Sequence, residues 1–148
     1  MSSAKKRIDT LNVIVTGSII ASEHECNLVQ GEFNEVHRCS NVSPKQRKHL
    51  LQILHATRGL DTALGTFARL HAIHYGTPAL GAYIWSFANH TKPGLQHLTQ
   101  AERHHFQTEI VDKRNHFMHQ AGAFPNQDRI VNKILSEMQT CLARVSAL

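Results

Sequence analysis

Ser43–Tyr75 reads SPKQRKHLLQILHATRGLDTALGTFARLHAIHY, and its periodicity decides the fold. Leu50, Ile53, Leu54, Leu60, Leu64, Phe67 and Ala68 recur at helical spacing, so they make one apolar stripe along a long helix reaching Tyr75. Ser43-Pro44-Lys45-Gln46 has the chemistry of a helix start: a capping hydroxyl, a proline at the first helical position and a glutamine three residues after the cap. Gly59 and Gly65 weaken this helix and predict a bend. Gly76 reads as its C-terminal cap, with Thr77-Pro78 opening the next helix directly.

Working outward, residues 1–8 read as a basic, frayed tail. From Leu11 the residues Leu11, Val15, Ile19, Cys26, Val29, Phe33 and Val36 keep helical spacing, which favours an amphipathic helix. The β-branched run Val13–Ile20 around Thr16-Gly17-Ser18 also permits a short hairpin. Downstream, Leu80, Tyr83, Ile84 and Phe87 form the core face of a short helix that Thr91-Lys92-Pro93-Gly94 ends. Thr99-Gln100-Ala101-Glu102 is a capping box opening a fourth helix, whose apolar edge is Phe106, Ile110, Phe117 and Ala121 and whose stop is Gly122. Pro125-Asn126 turns the chain into a last helix, where Ile130, Ile134, Met138, Cys141 and Val145 repeat beside Val131, Leu135 and Leu142. Short connections between amphipathic helices predict an all-α fold: one domain over residues 1–148, an antiparallel bundle of four to five helices.

Composition narrows the classes of function. The 148 residues carry sixteen Lys and Arg against eleven acids, a net charge of +5, with twelve histidines besides. That excess leans weakly towards a polyanionic partner and equally serves solubility. Three cysteines, Cys26, Cys39 and Cys141, are too few and odd in number for a disulfide framework and fit a reducing compartment. The apolar run Leu11–Ala21 is broken by Asn12 and Thr16-Gly17-Ser18, unlike a secretion signal, and falls short of the roughly 20 residues needed to cross a bilayer. The expectation is a cytoplasmic protein without a membrane span.

The stretch richest in chemistry is Val111–Gly122, V-D-K-R-N-H-F-M-H-Q-A-G, where Arg114 and Asn115 are followed by His119. Arginine offers a permanent cation with a planar donor fork for phosphate, and histidine moves protons near neutral pH. Spacing alone is weak: nine arginines in a histidine-rich chain give about one Arg-x4-His by chance. Two occur, Arg69…His74 and Arg114…His119. Arg69 is followed by Leu70, whereas Arg114 is followed by a polar side chain able to bond phosphate or orient the histidine. Arg114 also lies between Ile110 and Phe117 on the apolar edge, where an arginine calls for an explanation. The plain one is that its stem covers the core while its head snorkels or pairs with Asp112 or Glu109.

With Arg114-Asn115-His116-Phe117-Met118-His119 opening the last third of a helical chain, the sequence resembles the HEPN superfamily of small helical bundles. That family's motif is Arg, a polar residue, and His after four to six intervening positions. The resemblance implies a metal-independent endoribonuclease, often a toxin or defence effector, with Arg114, Asn115 and His119 as catalytic residues and no cofactor. It further implies RNA as partner, a homodimer that shares a cleft across this helix, and an antitoxin or regulatory protein. Some members are modified at a tyrosine two residues after the histidine; Ala121 occupies that position here. On a straight helix residues five apart diverge by about 140°, so the motif demands either fraying before His119 or a second chain. A catalytically inactive interaction module, binding a protein or nucleic acid, is the alternative reading.

Metal readings compete with it. Asp112, His116 and His119 share a stripe with His105 and Asn115 that is equally a solvated polar face. A di-metal carboxylate site needs Glu-x-x-His on two helices, and Glu102…His105 is a single match. His24, Cys26, His37 and Cys39 compose a zinc set only if residues 22–40 are not helical. His71 and His74 suit a helix C-terminus, and Trp85 sits off the Leu80–Ile84–Phe87 face, where it marks an interface or a half-buried ring.

Overall fold

The computed structural model describes Lys6, Asp9, Leu11, Asn12 and residues 23–148. All secondary structure among these residues is helical: α1 Glu23–Arg38, α2 Lys45–Leu70, α3 Leu80–Asn89, α4 and α5 Asp128–Ser146. Helix α4 has three parts, an α-helical Gln100–Phe106, a π-helical Gln107–Asp112 and an α-helical Lys113–His119. The fold is an all-α bundle, as the periodicity predicts. Helix α2 is its axis, packed against α1, α3, α5 and the last part of α4. The tail expected over residues 1–8 and the choice between helix and hairpin at Val13–Ile20 lie outside the described residues, apart from Lys6, which is helical.

The core is the set of stripes read from the sequence. Val29, Phe33 and Val36 of α1 meet Ile53, Leu60 and Leu64 of α2, and Ile134, Met138 and Cys141 of α5 are fully or almost fully buried. The two glycines of α2 are explained by close approach. A Cβ on Gly59 would stand 2.4 Å from the ring of Phe33, and one on Gly65 would stand 2.8 Å from the Tyr83 hydroxyl. Helix–helix contact at these positions outweighs the roughly 1 kcal/mol of helix propensity that each glycine forgoes.

Three boundaries of α2 and α3 differ from the sequence reading. Pro44, in an extended conformation, is itself the N-cap of α2, and no Ser43 hydroxyl caps it. Helix α3 begins at Leu80 after Ala79, later than Thr77-Pro78 suggests. Helix α2 ends at Leu70 instead of running to Tyr75, and Gly76 plays no part in its cap. Ile73 N–H donates to Ala68 O (2.8 Å) and Ala72 N–H to Arg69 O (3.2 Å). This is the paired-bond helix terminus that places its left-handed residue at Ala72, whose φ is 52°. The usual signal, a glycine, is missing there, so the stop is invisible in the sequence. Ala72→Gly should therefore stabilise the protein by about 0.5–1 kcal/mol, because the left-handed region strains any side chain with a Cβ. Chemical denaturation reads the shift; an unchanged or lower midpoint would contradict this account of the cap.

At the head of α4 the capping box is present as read: Glu102 N–H donates to Thr99 Oγ1 and Thr99 N–H to Glu102 Oε1, both at 3.0 Å. Beyond it the apolar edge holds at Phe106 and Ile110, weakens at partly buried Phe117 and is lost at exposed Ala121. Helix α4 ends at His119, three residues before Gly122, whose φ of 81° turns the chain towards α5.

Candidate functional site

The π-helical stretch Gln107–Asp112 immediately precedes the motif. Within it the successive residues Ile110 and Val111 are both buried in the core. Arg114 follows as a half-buried side chain between this widened turn and α2, while Asn115 and His119 are exposed.

Arg114 gathers the motif within one chain. Its Nη1 donates to Asn115 Oδ1 at 2.8 Å and lies 3.3 Å from His119 Nε2. Arginine has only donors, so Nε2 of His119 is the acceptor and the ring carries its proton on Nδ1. The divergence expected from residues five apart is thus bridged without fraying before His119 and without a second chain. The reach of the arginine, together with the extended backbone at Gln120 that frees the last helical residue, closes the gap. The other match behaves differently. Arg69 Nη2 turns back to donate to Thr66 Oγ1 (3.2 Å), while His74 lies exposed beyond the end of α2.

Arg114 and Asn115 form one wall of a cavity of about 280 Å³. Thr57, Arg58 and Asp61 of α2 line the opposite side, and the turn into α3 closes one end. Two buried polar atoms of lining residues have no hydrogen-bond partner, Arg114 Nε and Thr57 Oγ1. Both atoms lie behind the cavity surface, so a ligand with oxygen acceptors reaches them only when the Arg114 and Thr57 side chains turn towards it. Burial pushes the Asp61 carboxyl up, and the positive charges of Arg114 and Arg69 oppose that rise. Thr57 and Asp61 are missed by motif reading because nothing near them in sequence marks them. Their polarity within a stripe of Leu60 and Leu64 neighbours is the only trace.

The metal readings drawn from the sequence do not assemble as written. Glu102 is taken by Arg144, with Nε to Oε2 at 2.5 Å, which holds its carboxyl down at about 2. His105 pairs instead with Glu137 at 2.7 Å, so the Glu-x-x-His pair serves two separate contacts. Asp112 accepts from Gln107, and it forms no ligand cluster with His116 and His119. His24 and Cys26 lie on the regular helix α1, as does His37, whose partner Cys39 is in the following 3-10 turn. Cys141 is a core thiol, pushed up to about 12 by burial. His71 caps α2 and packs its ring on Phe67, with centroids 4.4 Å apart, whereas His74 lies beyond the helix. Trp85 is 56% exposed.

Comparisons of the chain with protein-family models, with curated proteins and with solved structures find no match.

Proposed function

We propose that the chain is a metal-independent endoribonuclease of the HEPN type, in which Arg114, Asn115 and His119 act on RNA beside the α2–α4 cavity. The observation that carries this reading is the Arg114 guanidinium, which holds His119 Nε2 at 3.3 Å and still has a buried Nε with no partner. On substrate binding Arg114 Nη1 turns from His119 to the phosphoryl oxygens, and the freed Nε2 lone pair accepts the proton of a ribose 2′-hydroxyl. The 2′-oxygen then attacks the adjacent phosphorus, the bond to the 5′-oxygen breaks, and that oxygen leaves as a hydroxyl after taking a proton from solvent, to which His119 returns the one it accepted. The products are a 2′,3′-cyclic phosphate and a 5′-hydroxyl end. Arg114 stabilises the charge gathering on the phosphoryl oxygens, and Asn115 fixes the guanidinium in its plane.

The net charge of +5 draws RNA to the surface. The resemblance adds a second copy across α4 and a role as toxin or defence effector held in check by a partner protein. Three cysteines outside any disulfide suit the cytoplasm, and among the described residues no helix is long and apolar enough to cross a membrane. A different class is favoured by one feature, the exposed Trp85 ring beside a hollow lined by His74, His90 and Lys92. An inactive bundle that docks a protein or nucleic acid there is the second reading.

The test is incubation of the purified chain with single-stranded RNA in excess chelator. Cleavage ending in 2′,3′-cyclic phosphate is the expected result. Intact RNA, with tight RNA binding that Trp85→Ala abolishes, would replace the first reading by the second. Light scattering measures the mass in parallel, and a monomer that cleaves would remove the paired arrangement from the proposal.

A further inference from the structure

The turn that ends α1 carries a cluster of a different chemistry. Cys39 opens the 3-10 turn Cys39–Asn41 and is only 6% exposed. No hydrogen bond to its sulfur is formed among the described residues. Glu35 precedes it by one turn on α1, and His55 faces it from α2. One ligand atom from each, a thiol sulfur, a carboxylate oxygen and an imidazole nitrogen, lies within 4.8 Å of the other two.

The histidine is oriented by a carboxylate. Glu32 Oε2 lies 2.8 Å from His55 Nδ1, and Arg58 Nη2 steadies the same carboxylate at 2.9 Å from Oε1. A carboxylate on one ring nitrogen fixes the tautomer and leaves the Nε2 lone pair to a metal, the outer-shell arrangement of metal-binding histidines. We propose that Glu35, Cys39 and His55 bind a zinc ion, which ties α1 to α2.

The mixed sulfur, nitrogen and oxygen set suits a borderline-soft, four-coordinate ion, with solvent in the fourth position. Ligand atoms around tetrahedral zinc stand about 3.3–3.8 Å apart. Side-chain torsions therefore close the cluster by about 1 Å on binding. The thiol proton passes to solvent as the sulfur–zinc bond forms. Arg38 pairs with Glu35 on the exposed side. His55 and Thr57 are two positions apart on α2 and so point about 200° away from each other. The three zinc ligands are therefore not residues of the Arg114 cavity, and Arg58, which lines that cavity and pairs with Glu32, is the one residue common to both surroundings.

Metal-stripped full-length protein titrated with Zn²⁺ should take up one equivalent and melt at a higher temperature. With Co²⁺ it should show a thiolate-to-metal charge-transfer band. Cys39→Ser removes that band, and both Cys39→Ser and His55→Gln weaken binding at least tenfold, while His116→Ala leaves both unchanged. Wild-type protein without the thiolate band overturns the site whatever the variants do. So does a band that survives Cys39→Ser, because the ligand would then be Cys26 or Cys141.

Discussion

His119→Ala lowers the rate of RNA cleavage by about a hundred- to ten-thousand-fold, the range lost with a positioned general base. Arg114→Ala costs about a hundred- to a thousand-fold, the loss seen when one preorganised donor to developing charge is removed. The two act as one unit through the 3.3 Å contact between Nη1 and Nε2. The double variant is therefore little slower than the worse single one. Arg114→Lys does not restore activity. An ammonium carries all its donors on one atom, so it cannot hold Asn115 and His119 and also present the planar, spread donor fork that matches phosphoryl oxygens. Initial rates on a defined RNA measure all four variants, with circular dichroism to confirm their helical content. Wild-type cleavage that persists in both His119→Ala and Arg114→Ala would move the chemistry elsewhere.

The parts of this protein that are local are legible in the sequence. The stripe from Leu50 to Ala68 predicts α2, and the Thr99–Glu102 box marks the first turn of α4 to the residue, because both signals lie within a few positions of what they determine. The end of α2 is not legible, because Ala72 takes the left-handed position that glycine usually announces. The π-helical turn before Arg114 is equally hidden. Its residues Gln107–Asp112 keep helical periodicity, with Ile110 and Val111 in the core, so nothing near them in sequence marks the wider turn. The candidate site divides along the same line. Arg114, Asn115 and His119 form one motif and can be read together. Thr57 and Asp61 join them only after α2 has packed on α4, and a motif has no access to that contact. Cys39 shows the same limit: the spacing of His37 and Cys39 offers a zinc set only if residues 22–40 are not helical, whereas the neighbours the fold brings to the thiol are Glu35 and His55.

The largest effect on stability should come from His49, a polar residue on α2 that is 0% exposed. Its Nδ1 lies 2.8 Å from Pro125 O and its Nε2 lies 2.7 Å from Asp128 Oδ1, so one ring ties α2 to the turn that starts α5. His49→Ala strands the carbonyl, removes a partner of the carboxylate and leaves a cavity. The expected cost is about 2–4 kcal/mol, or a melting temperature lower by about 5–15 °C in a chain of this size. The loss depends on pH in a definite direction. His49, with Lys48 second and the more distant charge of Lys45, holds the Asp128 carboxyl at about 2, below its ordinary 3.8. A carboxyl held low stabilises the fold above its unfolded value, and that contribution drains away as pH falls towards about 2. Asp128 is 60% exposed, so this share is the smaller one, after screening by solvent. Removing His49 lets the carboxyl climb back towards its ordinary value. The gap between wild type and His49→Ala should therefore be widest above about pH 4 and narrow between about pH 4 and 2. Glu102, held at about 2 by Arg144 and the Thr99 cap, weakens both proteins alike in the same acid range and cancels from the comparison. Denaturation midpoints from pH 7 down to 2.5 measure the gap directly. A gap that stays constant across that range would mean that the imidazole stabilises the α2–α5 junction by packing and its carbonyl bond, with no part played by the carboxylate.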